Sequence, residues 1–418
     1  MAEFTFGPFA LSTHSSRLTR DGVEVRLRPR AFQALRVLLQ HQGELVDHDT
    51  MIEEAWEGTH VSRHTIDVTV AEVRRKLGEY SDWLVQRPKV GYALKVPMSN
   101  EFVRTGWHFW TQRTRAGFER AIDCFTRAIG EAPSDFRAYE GLSASFLALA
   151  IFGIRPPLEM YPRFLEAHEQ AVALSGLRPE LRCNRAFGLY MFEHRPADAE
   201  AEFRQTLDEK PSLASTYVRL SLLHGSMGRF DQAFEILDRG KQVDPLLPTL
   251  AASEVLVRCW QGDFDAAVAL GRRHVELHPY VQIVRVNYAE ALRFAGRPRE
   301  AIAQYHVASI ISPDVPWLRA LEGACQAELG RRSDARAMVE GLEALRRSEY
   351  VDAYYMAALR LALGQRREAL RELHRACAEN SGRVYSLGVD PTFDALRSAP
   401  QFRRMRRGRP TAESPESR

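Results

Sequence analysis

The sequence predicts a mostly α protein: a small α+β domain first, then a long superhelix of stacked helix pairs. Three observations carry this prediction. Alanine recurs at a step of 34, at Ala199, Ala233, Ala267, Ala301, Ala335 and Ala369. Glycine keeps the same step at Gly228, Gly262, Gly296, Gly330 and Gly364, and proline at Pro211, Pro245, Pro279 and Pro313. Residues 1–97 lack the period and mix short alternating segments with three helical patterns. A small residue lets two helices approach, glycine turns the chain after the first, and proline stops the second. One such hairpin cannot bury its apolar face alone, so the units must stack.

The N-terminal elements follow in order. Phe4–Phe6 and Val23–Leu27 alternate as strands do. Pro29, favoured in a first helical turn, opens a helix with Phe32, Leu35, Leu38 and Leu39 on one face. Asp47 caps a second helix running to about Trp56. Ser62 caps a third, which places Ile66, Val70, Val73 and Leu77 on one side. A β-type pair near Leu84–Gln86 and Tyr92–Val96 completes a domain at 1–97. A polar linker is expected at 98–104. The repeats fill 105–380, beginning with Trp107, Ala121, Phe125, Ala128 and Pro133. Ala121 lies 78 residues before Ala199, two periods plus ten, so the second of about eight repeats carries an insertion, placed at 154–162. A C-terminal cap at 381–402 and a disordered basic tail at 403–418 follow.

Composition sets bounds. At 418 residues the chain should form at least two domains, and 45% hydrophobic with 27% charged residues is ordinary for a globular protein. Cysteines 124, 183, 259, 325 and 377 are odd in number and widely spread, which reads as reduced thiols in a cytoplasmic protein. No basic segment followed by an apolar run marks a signal peptide. The longest apolar stretch, Leu142–Ile154, is broken by Ser143, Ser145 and Gly153 and is too short to cross a bilayer. No membrane partner is expected.

The 34-residue period with these residue types resembles the tetratricopeptide repeat (TPR), which implies an interaction surface rather than a catalytic pocket. The first 95 residues are similar to the OmpR/PhoB-type winged helix–turn–helix. The segments carrying that resemblance are FGPFALST, RLTRDGVEVRLRPRAFQALRVLLQHQGELVDHDTMIEEAW, VSRHTIDVTVAEVRRKLG and VQRPKVGYAL. It implies a third helix in the major groove of double-stranded promoter DNA and a wing at the adjacent minor groove. The combination, with the ending DPTFDALRSAPQF, resembles regulators of the CadC and HilA kind. Tethered members have a transmembrane helix after the winged domain. Only the polar linker stands there, so no tether is expected, and no receiver domain or phosphorylation control either.

A helical wheel tests the third helix independently. Opposite its apolar side lie His64, Val68, Ala71, Glu72 and Arg75, flanked by Thr65, Thr69 and Lys76. Arg and Lys reach guanine or phosphate, and Val68 suits a thymine methyl. Glu72 stands where PhoB-type members often carry a base-reading arginine, and is expected to accept from cytosine instead. In the wing, Arg87 and Lys89 flank Pro88, cations suited to a narrow minor groove. The expected DNA-contacting set is Arg63, His64, Thr65, Val68, Thr69, Glu72, Arg75, Lys76, Arg87 and Lys89. Residues 1–97 carry 13 basic and 13 acidic residues; 44–57 hold six acids and no Lys or Arg, and 61–97 hold seven bases against four acids. This dipole orients the domain on DNA, but few phosphates are neutralised and the monomer should bind weakly.

Other features have plainer readings. The acidic second helix solubilises; the functional alternative is contact of the Glu57–His60 loop with RNA polymerase. His274 and His278 stand at helical spacing without a third ligand, so no metal is expected. The arginines at 403, 404, 406, 407 and 409 read as a solvated terminus. No phosphate loop, CxxC pair or nucleophile signature occurs, so no catalytic residue, cofactor or enzyme activity is expected. The inner groove of the repeats should be lined near Tyr217, Arg219, Leu220, Leu256, Arg285 and Tyr288, with Tyr217, Arg219, Arg285 and Tyr288 binding a protein or peptide. The expectation is a one-component transcription regulator receiving a protein, peptide or small-molecule signal. Its rival is a TPR scaffold whose winged helix docks protein. Homodimerisation is left open.

Overall fold

The computed structural model describes residues 3–6, 9–20, 23–41, 44–59, 61–88, 90–95, 101–313 and 315–407, in two compact units, Met1–Glu101 and Phe102–Arg418. In the first unit, β1 (Glu3–Phe6), β2 (Phe9–Ser12), β3 (Arg17–Arg20) and β4 (Val23–Val25) form an antiparallel meander. Its register sets Phe4 opposite Leu11, Leu11 opposite Leu18 and Leu18 opposite Val25, so one face is apolar. Then come α1 (Pro29–Gln40), β5 (Val46–Asp47), α2 (His48–Trp56), α3 (Arg63–Leu77), a 3-10 segment (Gly78–Trp83), β6 (Leu84–Arg87) and β7 (Gly91–Leu94). The second sheet has the order β5-β7-β6. At Gly91 a Cβ would meet the Val46 carbonyl oxygen at 2.0 Å, so only glycine lets β7 lie beside β5. The core gathers Leu35 and Leu38 of α1, Met51 of α2 and Ile66, Val70, Val73 and Leu77 of α3, all fully buried.

The second unit is a run of helix pairs. They are α4 (Glu101–Thr111) with α5 (Arg115–Glu131), α6 (Phe136–Ile151) with α7 (Pro157–Ser175), α8 (Pro179–Met191) with α9 (Pro196–Glu209), and α10 (Ala214–Ser226) with α11 (Phe230–Val243). The array continues with α12 (Pro248–Gln261) and α13 (Phe264–Leu277), α14 (Gln282–Phe294) and α15 (Pro298–Ile311), α16 (Trp317–Glu328) and α17 (Arg332–Leu345), and α18 (Ala353–Ala362) and α19 (Arg366–Ala378). The 34-spaced alanines fall on α9, α11, α13, α15, α17 and α19, each with no exposed surface. The 34-spaced glycines turn the hairpins in the left-handed region, as at Gly228 (φ 76°) and Gly262 (φ 87°). Arg113 (52°), Gly153 (61°) and His194 (55°) take the same role in the first three pairs. The extra residues of the second pair fall in the connection before Pro157 and in α7, 19 residues long against 14 for α9.

The superhelix closes on itself. Arg115 pairs with Glu349 at 2.8 Å, and the Trp317 indole N–H donates to the Phe152 carbonyl at 2.9 Å. The segment after α19 turns inward: Asn380 donates to the Phe192 carbonyl, and the Tyr385 ring lies against Tyr190 and Trp260. Short 3-10 turns (Val384–Ser386 and Pro391–Leu396) and α20 (Pro400–Arg407) follow.

Two boundaries differ from the sequence reading. The linker expected to reach 104 yields to α4 at Glu101, because Val103 is buried on Phe125 and Ala121 as part of the first pair. Disorder expected from 403 is displaced by α20, which Phe402 and Met405, one turn apart, pin to the repeat core. Residues 98–100 and 408–418 lie outside the described residues.

Candidate nucleic-acid interface and solenoid cavity

Helix α3 begins where the Ser62 hydroxyl accepts the Thr65 N–H at 3.2 Å. Burial of Ile66, Val70, Val73 and Leu77 fixes its rotation and turns Arg63, His64, Thr65, Val68, Arg75 and Lys76 to solvent. Val68 keeps 54% of its surface exposed. Thr69 is half-buried, its hydroxyl donating to the Thr65 carbonyl at 2.8 Å. Arg63, His64, Arg75, Lys76 and the wing's Arg87 form no ion pair or side-chain hydrogen bond among the described residues. Lys89 and His60 lie outside them.

Glu72 departs from its expected role as a base reader. Its carboxylate accepts the Arg28 backbone N–H at 3.1 Å and lies 3.7 Å from the Arg28 guanidinium, with 13% of its side chain exposed. Arg28 is the N-cap of α1, whose own side chain makes no cap, so Glu72 places negative charge at that helix's positive end. The wheel put Glu72 on the groove side because a wheel ignores what packs on the flank.

A second link sets the wing. The buried Tyr92 hydroxyl on β7 donates to the Asp67 carboxylate of α3 and accepts from Gln86 of β6 at 3.1 Å. Burial, then the bond to Asp67, raises the Tyr92 pKa, so the phenol stays protonated and able to donate. Arg74 donates to the Leu84 carbonyl at 2.8 Å, and the His48 ring nitrogen meets the Val90 carbonyl at 2.9 Å. These contacts fix α3 and the hairpin as one surface. Sequence reasoning missed Asp67, whose signal was an acid among basic neighbours on an exposed helix.

In the solenoid, a cavity of about 240 Å3 lies inside the closed superhelix. Arg219 and Leu256 line it. Tyr217 and Tyr288 do not belong to a partner surface: both are buried, Tyr217 donating to the Pro211 carbonyl at 3.0 Å and Tyr288 packed over Gly271. Leu220 is likewise buried, and Arg285 is spent on the Pro279 carbonyl and Gln304, each at 2.7 Å. Helical rotation explains the difference. On α10 the cavity side holds Ser215, Val218, Arg219 and Leu222, while Tyr217 and Leu220 point into the repeat core. Missed altogether were Arg113 and Arg383, because the insertion pushes Arg113 out of the 34-residue frame and Arg383 follows the last repeat.

Arg383 is buried beside Glu290, at 3.0 Å, and Asp390, at 3.6 Å. Burial pushes the Glu290 carboxyl up, partly opposed by Arg383. The Tyr354 hydroxyl donates to Asp390 at 2.6 Å. Among the described residues no group of three His, Cys, Asp or Glu side chains is placed to hold a metal, and no helix is long and apolar enough to cross a membrane.

Fold and surface together define a winged-helix domain joined to a TPR-type solenoid. Residues 22–94 match the family model described as "Transcriptional regulatory protein, C terminal", and the first unit holds a winged helix of the OmpR/PhoB type. It is 27% identical over 96 residues to the transcriptional activator CadC of Escherichia coli, covering 22% of this chain and 19% of CadC. To the transcriptional regulatory protein CutR of Streptomyces coelicolor it is 38% identical over 85 residues, 20% of this chain and 39% of CutR. The chain thus spans well under half the length of these relatives. Across the fold, human IFIT1, solved as a dimer with PPP-AAAA, superposes with a TM-score of 0.52 at 14% identity, over 82% of this chain and 78% of that one. That likeness is one of fold.

Proposed function

We propose that this chain is a one-component bacterial transcription regulator: α3 and the wing bind promoter DNA, and the solenoid receives the signal that sets its output. The observation that carries the reading is the exposed basic face of α3, unpaired among the described residues and held in register with the wing through Asp67 and Tyr92. Cations left free on a rigid helix flank suit phosphates and guanine edges, where each good contact is worth about 1–3 kcal/mol. The family match of residues 22–94 supports the same reading. We assign the DNA contacts to Arg63, His64, Thr65, Val68, Thr69, Arg75, Lys76 and Arg87, with Lys89 completing the wing.

For the solenoid, a small molecule is the favoured signal. The chain's own segment around Asn380–Tyr385 occupies the concave face where a peptide was expected, and a cavity of small-molecule size remains. Action in the cytoplasm follows from DNA as the partner. Mobility shift of the full chain against a promoter library tests the first half: saturable, sequence-selective binding supports it, and no binding at low salt refutes it. Deleting residues 105–418 tests the second half. A truncated chain regulated like the full one in a reporter strain would end the sensory role.

A further inference from the structure

The half-buried arginines of the repeats are mostly answered by acids: Arg182 by Glu202 and Glu209, Arg293 by Glu328, Arg346 by Glu372. Two arginines lining the cavity are not. Arg219, on α10, donates to Asn184 at 2.7 Å and to the Cys183 sulfur at 3.2 Å, and its guanidinium lies 5.0 Å from the Phe187 ring centre. Arg113 stands in the first hairpin turn, at the position that later repeats give to glycine, and its guanidinium lies 5.3 Å from the Trp110 ring centre. Neither pairs with a carboxylate among the described residues. Both line the same cavity, and burial, then repulsion from Arg219, depresses the Arg113 pKa.

Much of the rest of the wall is aromatic: Trp110, Phe152, Phe187, Trp317 and Tyr355 line it, the last two stacked at 4.7 Å, beside the polar Ser215, Thr249 and Ser253. Among the described residues, buried polar atoms of the wall left without a partner are the Trp110 Nε1, the Arg383 Nε and the Asn287 Oδ1. The Asn287 amide donates to the Ala252 carbonyl at 2.7 Å, while its Oδ1 accepts nothing among the described residues, with the residue 2% exposed. The third cavity arginine, Arg383, is already held by Glu290 and Asp390.

We infer that this cavity binds a small organic carboxylate with a flat apolar body, its carboxylate bridging Arg113 and Arg219 and its ring seated on the aromatic wall. An anion relieves the repulsion between the two guanidinium groups, and arginine's planar fork matches a carboxylate in two hydrogen bonds. Flat aromatic surface is buried on the aromatic wall, and a donor on the ligand can satisfy Asn287. Because the site draws on α4–α5, α10 and the segment after α19, an occupant ties together the two ends of the superhelix. This inference rests on the reading of the solenoid as the signal-receiving unit.

The test is isothermal titration of the full chain with 2-naphthoate and indole-3-acetate, each beside its neutral amide. The acids should bind saturably with one site per chain, and the amides at least tenfold more weakly. Arg113→Met and Arg219→Met, with melting temperatures confirming folded protein, should each weaken the acids about tenfold and leave the amides unchanged. Equal binding of acid and amide overturns the inference, as does no binding by either acid. The acid–amide comparison on the unaltered chain decides even if a variant fails to fold. Promoter binding measured in parallel separates the two claims. Acid binding that leaves DNA affinity unchanged keeps the site and removes its regulatory role. No acid binding, with regulation still lost on deleting the solenoid, removes the site and keeps the sensor.

Discussion

The winged unit and the solenoid treat charge in opposite ways. On α3 and the wing, Arg63, Arg75, Lys76 and Arg87 are exposed and unpaired among the described residues. In the solenoid, Arg182, Arg229, Arg293 and Arg346 are each held by a glutamate within about 3 Å. Pairs between neighbouring hairpins, such as Arg293 with Glu328 and Arg229 with Glu200, help set the stacking of one repeat on the next. Free cations on a rigid element are a surface awaiting an anion. The comparison teaches where to look inside the solenoid as well, since Arg113 and Arg219 line its cavity and pair with no carboxylate among the described residues.

The largest expected effect lies in the repeat contacts. Ala267→Leu or Ala301→Leu should lower stability by about 3 kcal/mol, because each alanine is fully buried where helices meet and a larger side chain overpacks it. Thermal or urea unfolding reads it, and unchanged stability would break the account of the 34-residue step. On the other unit, Arg75→Ala should weaken specific DNA binding by about 2 kcal/mol without changing the melting temperature, as expected of an unpaired exposed cation. Anisotropy titration at fixed salt checks it.

Acidification should separate the units. His168 on α7 is buried against Phe164, and burial, then Arg185, lowers its pKa to about 4. The unfolded chain therefore binds a proton that the folded one refuses between about pH 6.5 and 4, so this contribution is present above pH 6.5 and lost as pH falls. Between pH 7 and 5 the loss amounts to about 2 kcal/mol. His168→Gln should remove most of that difference in melts compared at the two pH values. If the variant and the original chain lose stability equally, His168 is not the cause.

The smallest effect sharpens the interface itself. Glu72→Ala should cost about 1 kcal/mol of stability, as the loss of a helix cap does, and leave base preference unaltered. A changed preference in a binding-site selection would return Glu72 to the DNA.

How much of this was legible in the sequence follows from which interactions are periodic. Hairpin stacking repeats every 34 residues and was readable, as were α1, α2, α3 and their caps at Asp47 and Ser62. Strands β2 and β3 were not, because each is only four residues long and β3 holds a single apolar side chain, Leu18. The groove residues failed for a different reason. Period locates the first helix of each repeat, but an error of one residue rotates a side chain by 100°, enough to exchange Tyr217 for Val218. Pairings such as Glu72 with Arg28, or Arg383 with Glu290, join residues 44 and 93 apart and leave no local trace.

The central claim is that α3 and the wing read promoter DNA, and a footprint of the full chain on the DNA upstream of its own gene tests it most directly. The account predicts a protected, sequence-selective site that weakens as salt rises and is lost when Arg63, Arg75 and Arg87 are all replaced by alanine. Protection unchanged in that triple variant, or binding that competitor DNA of random sequence removes as readily as the site itself, would contradict it.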